Sequence, residues 1–89
     1  MHVDSFEWDE NNIEHVARHH VTPDEVEEVF WLRHVLRRSR DGLYLALGQA
    51  VSGRYLFVVF KPVTPLGRVR IITARDMEPP ERRLFKKER

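Results

Sequence analysis

The sequence predicts an α+β fold, with an antiparallel sheet of four to five strands, two N-terminal helices packed on one face of it, and a short C-terminal helix. Two observations carry that prediction. Apolar residues repeat with helical spacing up to about residue 32 and with a period near two after Arg33, and the extended runs are joined by short turns rich in glycine and proline. Parallel neighbours need crossovers of a dozen or more residues, so turns this short demand antiparallel pairing.

Taken in order, Val3, Phe6 and Trp8 make 3–8 a first strand or an anchoring arm. Asp9 can then cap a helix over 10–19, in which Ile13, Val16, Ala17 and His20 share one face. Thr22-Pro23-Asp24-Glu25 is a strong helix start: the threonine hydroxyl accepts a backbone amide, Glu25 reaches back, and Pro23 sits where no donor is needed. The second helix, 23–32, buries Val26, Val29 and Phe30. Strands are expected at 34–39, 43–50, 54–61 and 68–74, separated by Asp41-Gly42, Ser52-Gly53 and the segment from Pro62 to Gly67. The run from Tyr55 to Phe60 is apolar at both parities, as in a central strand covered on both faces or nearly so. Pro79 and Pro80 interrupt the chain before a last helix over about 80–87.

Length and composition bound the function. A chain of 89 residues has room for one domain, 1–89. Without cysteine it has neither disulfides nor a cysteine-based zinc site, and no apolar run is long enough to span a bilayer, so a cytoplasmic location is expected. The net charge of +1 conceals an asymmetry. Residues 1–32 carry nine acids against one base, a net of −8, and residues 33–89 carry fourteen bases against five acids, a net of +9. Either the second half builds a face for nucleic acid or an acidic partner, or the two sets neutralise each other across the surface. Both predicted helices of the first half are acidic, which argues against a helix-turn-helix DNA reader.

Four segments carry a family resemblance: FEWDENN at 6–12, ARHHVTPDEVEEVF at 17–30, RVRIITARDM at 68–77 and ERRLF at 81–85. In this order and spacing the sequence resembles the BrnT toxins, whose fold is a variant of the RelE-like ribonuclease fold. The resemblance implies endoribonucleolytic cleavage of RNA by attack of a ribose 2′-hydroxyl on its own neighbouring phosphate. It implies no metal and no organic cofactor, and it implies a cognate antitoxin with a ribbon-helix-helix DNA-binding domain. A catalytically impaired binding module of the same fold is the alternative.

Such a reaction needs a proton acceptor, cations for the phosphate and a proton donor for the leaving oxygen. Arg70 and Arg75 are the pair expected on the phosphate, because guanidinium forks match phosphate oxygens and stay charged. In an unbroken strand they project from opposite faces, so they meet at one site only if the strand bends, bulges or ends near Thr73. Glu81 is the candidate base or arginine orienter. His19 stands where the family has a histidine, a side chain able to act as acid or base near neutral pH. Lys61, Arg82 and Arg83 are further RNA contacts. Two positions depart from the family pattern: His20 replaces a glycine just past the first helix, and Phe85 replaces a tyrosine whose hydroxyl is thereby lost. His15 and His19, four apart, form only a weak metal motif, and Trp8 and Trp31 read as core before they read as base-stacking groups.

Overall fold

The computed structural model describes residues 1–88, and in it the chain runs β1 (Ser5–Glu7), α1 (Glu10–Ala17), α2 (Pro23–Trp31), β2 (His34–Arg38), β3 (Tyr44–Gln49), β4 (Tyr55–Val63), β5 (Arg68–Asp76) and α3 (Pro79–Lys87). The strands form a single five-stranded sheet in the order β1-β5-β4-β3-β2. From β2 to β5 it is the antiparallel meander that the short turns predict. At one edge β1 pairs with β5 in parallel, which makes the sheet mixed. Both helices and the whole meander lie between these two strands, so no tight turn dictates their relative direction.

Local sequence accounts for the ends of the elements. Asp9 caps α1 by accepting from the Asn12 amide at 3.1 Å, and Asn12 Oδ1 accepts in return from the Asp9 amide at 2.8 Å. Thr22 and Glu25 make the corresponding exchange at α2, with Pro23 in the first turn. Helix α1 is two residues shorter than the spacing predicts. It closes because His20 adopts the left-handed conformation, φ 60°, and the Val21 amide returns to the Val16 carbonyl at 3.1 Å. That backbone state costs a non-glycine residue about 1 kcal/mol. Arg54 offsets part of this by donating to the carbonyls of both His19 and His20, a cation at a helix C-terminus. In the β2–β3 hairpin, Asp41 and Gly42 both have positive φ, 59° and 74°, the pairing a two-residue turn needs to match strand twist. β4 runs to Val63, past the predicted end at 61. Pro62 is tolerated there because β3 stops at Tyr44, opposite Phe60, so no partner on that side needs its missing amide hydrogen.

The main core lies between the sheet and the first two helices. Val16, Val26, Val29 and Phe30 pack on Leu56, Val58, Phe60, Val69, Ile71 and Ala74. Phe60 is fully buried between the rings of Phe30, at 5.1 Å, and Tyr44, at 5.7 Å. Gly48 lets α2 approach the sheet, since a Cβ there would stand 2.7 Å from Val29 Cγ1. On the opposite face α3 covers only one end, where Met77 and Phe85 meet Val35 and Leu47, with Tyr55 and Phe57 at the margin. β4 is therefore apolar on both sides, as expected. Beyond α3 the same face presents Leu45, Val59, Lys61, Arg70 and Thr73, all half-buried or exposed. No described helix is long and apolar enough to cross a membrane.

Candidate functional site

The five-residue spacing of Arg70 and Arg75 would put them on opposite faces of a regular strand. β5 is not regular. Val59 pairs with Thr73 but the next residue, Phe60, pairs with Ile71, so Ile72 is an extra residue forming a β-bulge. The extra residue restores parity. Arg70 stands opposite Lys61 and Arg75 opposite Phe57, both on the face that α3 only partly covers.

Arg75 is tightly held. Its Nη1 and Nη2 donate to Glu81 Oε1 and Oε2, each at 2.9 Å, and Nη1 also donates to the Asp76 carbonyl at 3.0 Å. The guanidinium lies over the Phe57 ring, 4.0 Å from its centroid. Glu81 accepts in addition from the Glu78 amide at 2.8 Å. Partial burial pushes the Glu81 carboxyl up, but the Arg75 hydrogen bonds and the Glu78 amide outweigh it and leave the carboxyl below its usual range. The Glu81 bonds raise the Arg75 guanidinium in turn.

Arg70 is held in the same manner by different residues. Nη1 donates to Asp9 Oδ2 at 2.9 Å and Nη2 to Asp9 Oδ1 at 3.3 Å, while Nη1 also reaches Glu7 Oε1 at 3.4 Å. The Arg70 hydrogen bonds, helped by the Asn12 amide, hold the Asp9 carboxyl below the usual carboxylate range. Beneath this pair Asn12 is 3% exposed and donates from Nδ2 to the carbonyls of Glu7 and Ile71, both at 2.9 Å. It closes the edge of β5 where β1 runs out.

The chain thus brings Arg70, Arg75 and Lys61 to one face and puts Glu81 on Arg75. It does not bring His19 to them. His19 ends α1 on the helical side of the sheet, where its carbonyl accepts from Arg54 at 2.9 Å and Arg54 in turn grips Asp76 and Glu25. Arg70 and Arg75 thus share a face but not a partner: Glu81 is bonded to Arg75 alone, Arg70 is bonded to Glu7 and Asp9, and His19 follows α1 on the other side of the sheet. His15 lies nearer the predicted arginines: with Asn11, Asn12, Ile71 and Ile72 it lines a hollow of about 140 Å³ that also holds Arg70. A larger hollow of about 470 Å³ contains none of the predicted residues.

The remaining candidates are peripheral. Lys61 is exposed and makes no ion pair among the described residues, Arg82 lies over the Tyr55 ring at 4.3 Å, and Arg83 is exposed on α3. Phe85 is buried under α3 with the Arg33 guanidinium 4.1 Å from its ring, so at this position the side chain packs. Among the described residues no group of three or more histidines or acids could hold a metal ion.

In the sequence Asp9 reads only as a helix cap, and Asn12 carries no motif of its own. Their signal was the capping pattern at 9–12, which shows the helix start but not the arginine that folds onto it from β5. The two charge sets neutralise each other only in part: of the first-half acids, Glu7 and Asp9 meet Arg70 and Glu25 meets Arg54.

A family model described as the ribonuclease toxin BrnT of type II toxin–antitoxin systems matches residues 8–81. No curated protein matches the chain.

Proposed function

Because the chain belongs to the BrnT family of ribonuclease toxins of type II toxin–antitoxin systems, we propose that it cleaves RNA on the uncovered sheet face, by attack of a ribose 2′-hydroxyl on the adjacent phosphate and without a metal. The observation that carries this reading is the bulge at Ile72, which sets Arg70 and Arg75 on one side of β5 with Lys61 opposite Arg70 on β4. Three cations along one strand pair suit a phosphodiester backbone, and the half-buried Val59 and Thr73 between them, with Leu45 beside Val59 on β3, give bases a surface to lie on. In this reading the arginines stabilise the charge that develops on the phosphate and Glu81 holds Arg75 in place, while Lys61, Arg82 and Arg83 extend the RNA track. Proton transfer falls to a histidine, and His15 is the one that shares a hollow with Arg70.

A type II toxin has an antitoxin partner, and we assign that partner a ribbon-helix-helix DNA-binding domain and a segment that covers the same basic face, so RNA and antitoxin exclude each other. A toxin acting on cellular RNA would work in the cytoplasm, which supports a cytoplasmic location for this reading. The test is cleavage of a single-stranded RNA by purified protein, with Arg75→Ala as the variant and circular dichroism as the check on folding. The expected result is cleavage that survives EDTA, is blocked by 2′-deoxy substitution at the scissile ribose, and is lost in Arg75→Ala. A folded Arg75→Ala protein that cleaves at the wild-type rate overturns the site, and loss of cleavage in EDTA overturns the metal-free mechanism.

A further inference from the structure

The two arginines are held in one and the same way by carboxylates at two different helix starts. A guanidinium has five N–H donors on three edges. In Arg75 the Nη1/Nη2 edge is taken by Glu81 and the outer Nη1 hydrogen by the Asp76 carbonyl. In Arg70 the Nη1/Nη2 edge is taken by Asp9 and the outer Nη1 hydrogen by Glu7. What remains in each, with no partner among the described residues, is the edge formed by Nε and the outer Nη2 hydrogen. That edge is a complete two-donor fork, the geometry that binds two oxygens of one phosphate.

The holders are equivalent too. Asp9 is the N-cap of α1, and Glu81 lies in the first turn of α3 and accepts the Glu78 amide. Each is tied to a helix start as well as to its arginine, so each is a fixed anchor rather than a mobile counter-ion. Two carboxylates beside Arg70 would by themselves repel a phosphate, and Lys61 directly across the strand pair and Arg68 two residues along β5 are the cations on the same face that offset them.

Resting on the RNA reading above, we propose that Asp9 is a positioning residue matched to Glu81, the two carboxylates orienting Arg70 and Arg75 so that their remaining forks grip two phosphates of one RNA strand running along β5. Across the bulge the two arginines stand opposite Lys61 and Phe57, four residues apart on β4, a separation of roughly 13 Å, so the gripped phosphates are not neighbours and the segment between them lies over Thr73 and Val59.

The experiment measures binding of a short single-stranded RNA with 2′-O-methyl riboses, which cannot be cleaved, over a range of salt. Asp9→Ser keeps a good helix cap and removes the Arg70 anchor. Asp9→Asn keeps the cap and one acceptor. If Asp9 positions Arg70, Asp9→Ser and Arg70→Ala each weaken binding about tenfold, and each flattens the dependence of log affinity on log salt by about 0.7, the value for one single-strand phosphate contact. The double variant is then no weaker than Arg70→Ala alone, and Asp9→Asn recovers much of the loss. If Asp9 merely competes with phosphate, Asp9→Ser tightens binding and leaves the slope unchanged or steeper, which overturns the proposal. Should Asp9→Ser not fold, the decision passes to Asp9→Asn, for which tighter binding than wild type is again the overturning result. Failure of the wild-type protein to bind the RNA at all refutes the RNA reading itself, a different outcome from either of these.

Discussion

Replacing Asn12, the buried polar side chain among the described residues, with alanine should cost the protein a large part of its stability. The side chain is buried, its Nδ2 donates to the carbonyls of Glu7 and Ile71, and its Oδ1 accepts from the Asp9 amide. Three hydrogen bonds at a net value of about 1 kcal/mol each give a loss of about 3 kcal/mol. For a chain of this size that lowers the melting temperature by roughly 15 °C. The same three bonds tie β1, α1 and β5 together beneath the Asp9–Arg70 pair, so RNA binding should weaken with stability. Urea unfolding followed by circular dichroism measures the effect, with an unchanged slope to show that the folded and unfolded states expose the same surface as before. Asn12→Asp is the companion: it keeps the acceptor but sets a carboxylate against two carbonyls, so at neutral pH it should cost at least as much as alanine. A loss below about 1 kcal/mol in Asn12→Ala, or a neutral Asn12→Asp, would show that the β5 edge is not closed by this side chain.

Four further outcomes follow from the same contacts. Arg75→Lys should cleave RNA about a hundredfold more slowly than wild type, close to Arg75→Ala, because an ammonium can neither fork onto both Glu81 oxygens nor stack flat on Phe57; wild-type rates in the lysine variant would mean that charge alone is enough. Gly48→Ala should destabilise by about 1–3 kcal/mol as the new methyl meets Val29, and Val29→Ala in the same chain should recover part of it, a suppression readable from the two urea midpoints. His20→Gly should stabilise by about 0.5–1 kcal/mol by relieving the left-handed backbone at φ 60°, and a lower melting temperature would refute that account of the α1 end. Asp9, Asp76 and Glu81 are all held below their ordinary values of 3.8, 3.8 and 4.5. Their contribution is therefore complete above those values and is lost as pH falls through the lowered ones. The urea midpoint should be level from about pH 7 to about pH 5 and decline below it, with a shallower decline in Asp76→Asn; a midpoint that rises on acidification contradicts the sign.

The elements were readable because their signals are local. Thr22-Pro23-Asp24-Glu25 starts α2 through bonds among four consecutive residues, Asp41-Gly42 makes its turn with its own two φ angles, and the double-sided apolar run of β4 matches a central strand with α1 and α2 on one face and α3 over one end of the other. The candidate site was readable in its residue types and only partly in its geometry. Arg70 and Arg75 stand out as cations in a strand-like run and Glu81 as the acid that opens the last helix, and the parity conflict between the two arginines called for a bend, a bulge or a strand end. Its position was not readable, because a bulge is a relation between two strands: Ile72 is extra only with respect to the step from Val59 to Phe60 on β4.

The sequence by itself determined the fold class, the helix starts, the hairpin turn at Asp41-Gly42 and the pool of cations from which a phosphate-binding face could be made. Each of these depends on neighbours within a few residues, where chain connectivity has already placed the interacting groups. Tertiary structure alone decided that β1 joins β5 in parallel, that Asn12 bonds to Ile71 and Asp9 to Arg70 across some sixty residues, and that His15 rather than His19 shares a hollow with an arginine. Those outcomes depend on where α1 lies against the edge of β5, a placement selected by the packing of Val16 into the core and by the need to satisfy backbone carbonyls left without a strand partner.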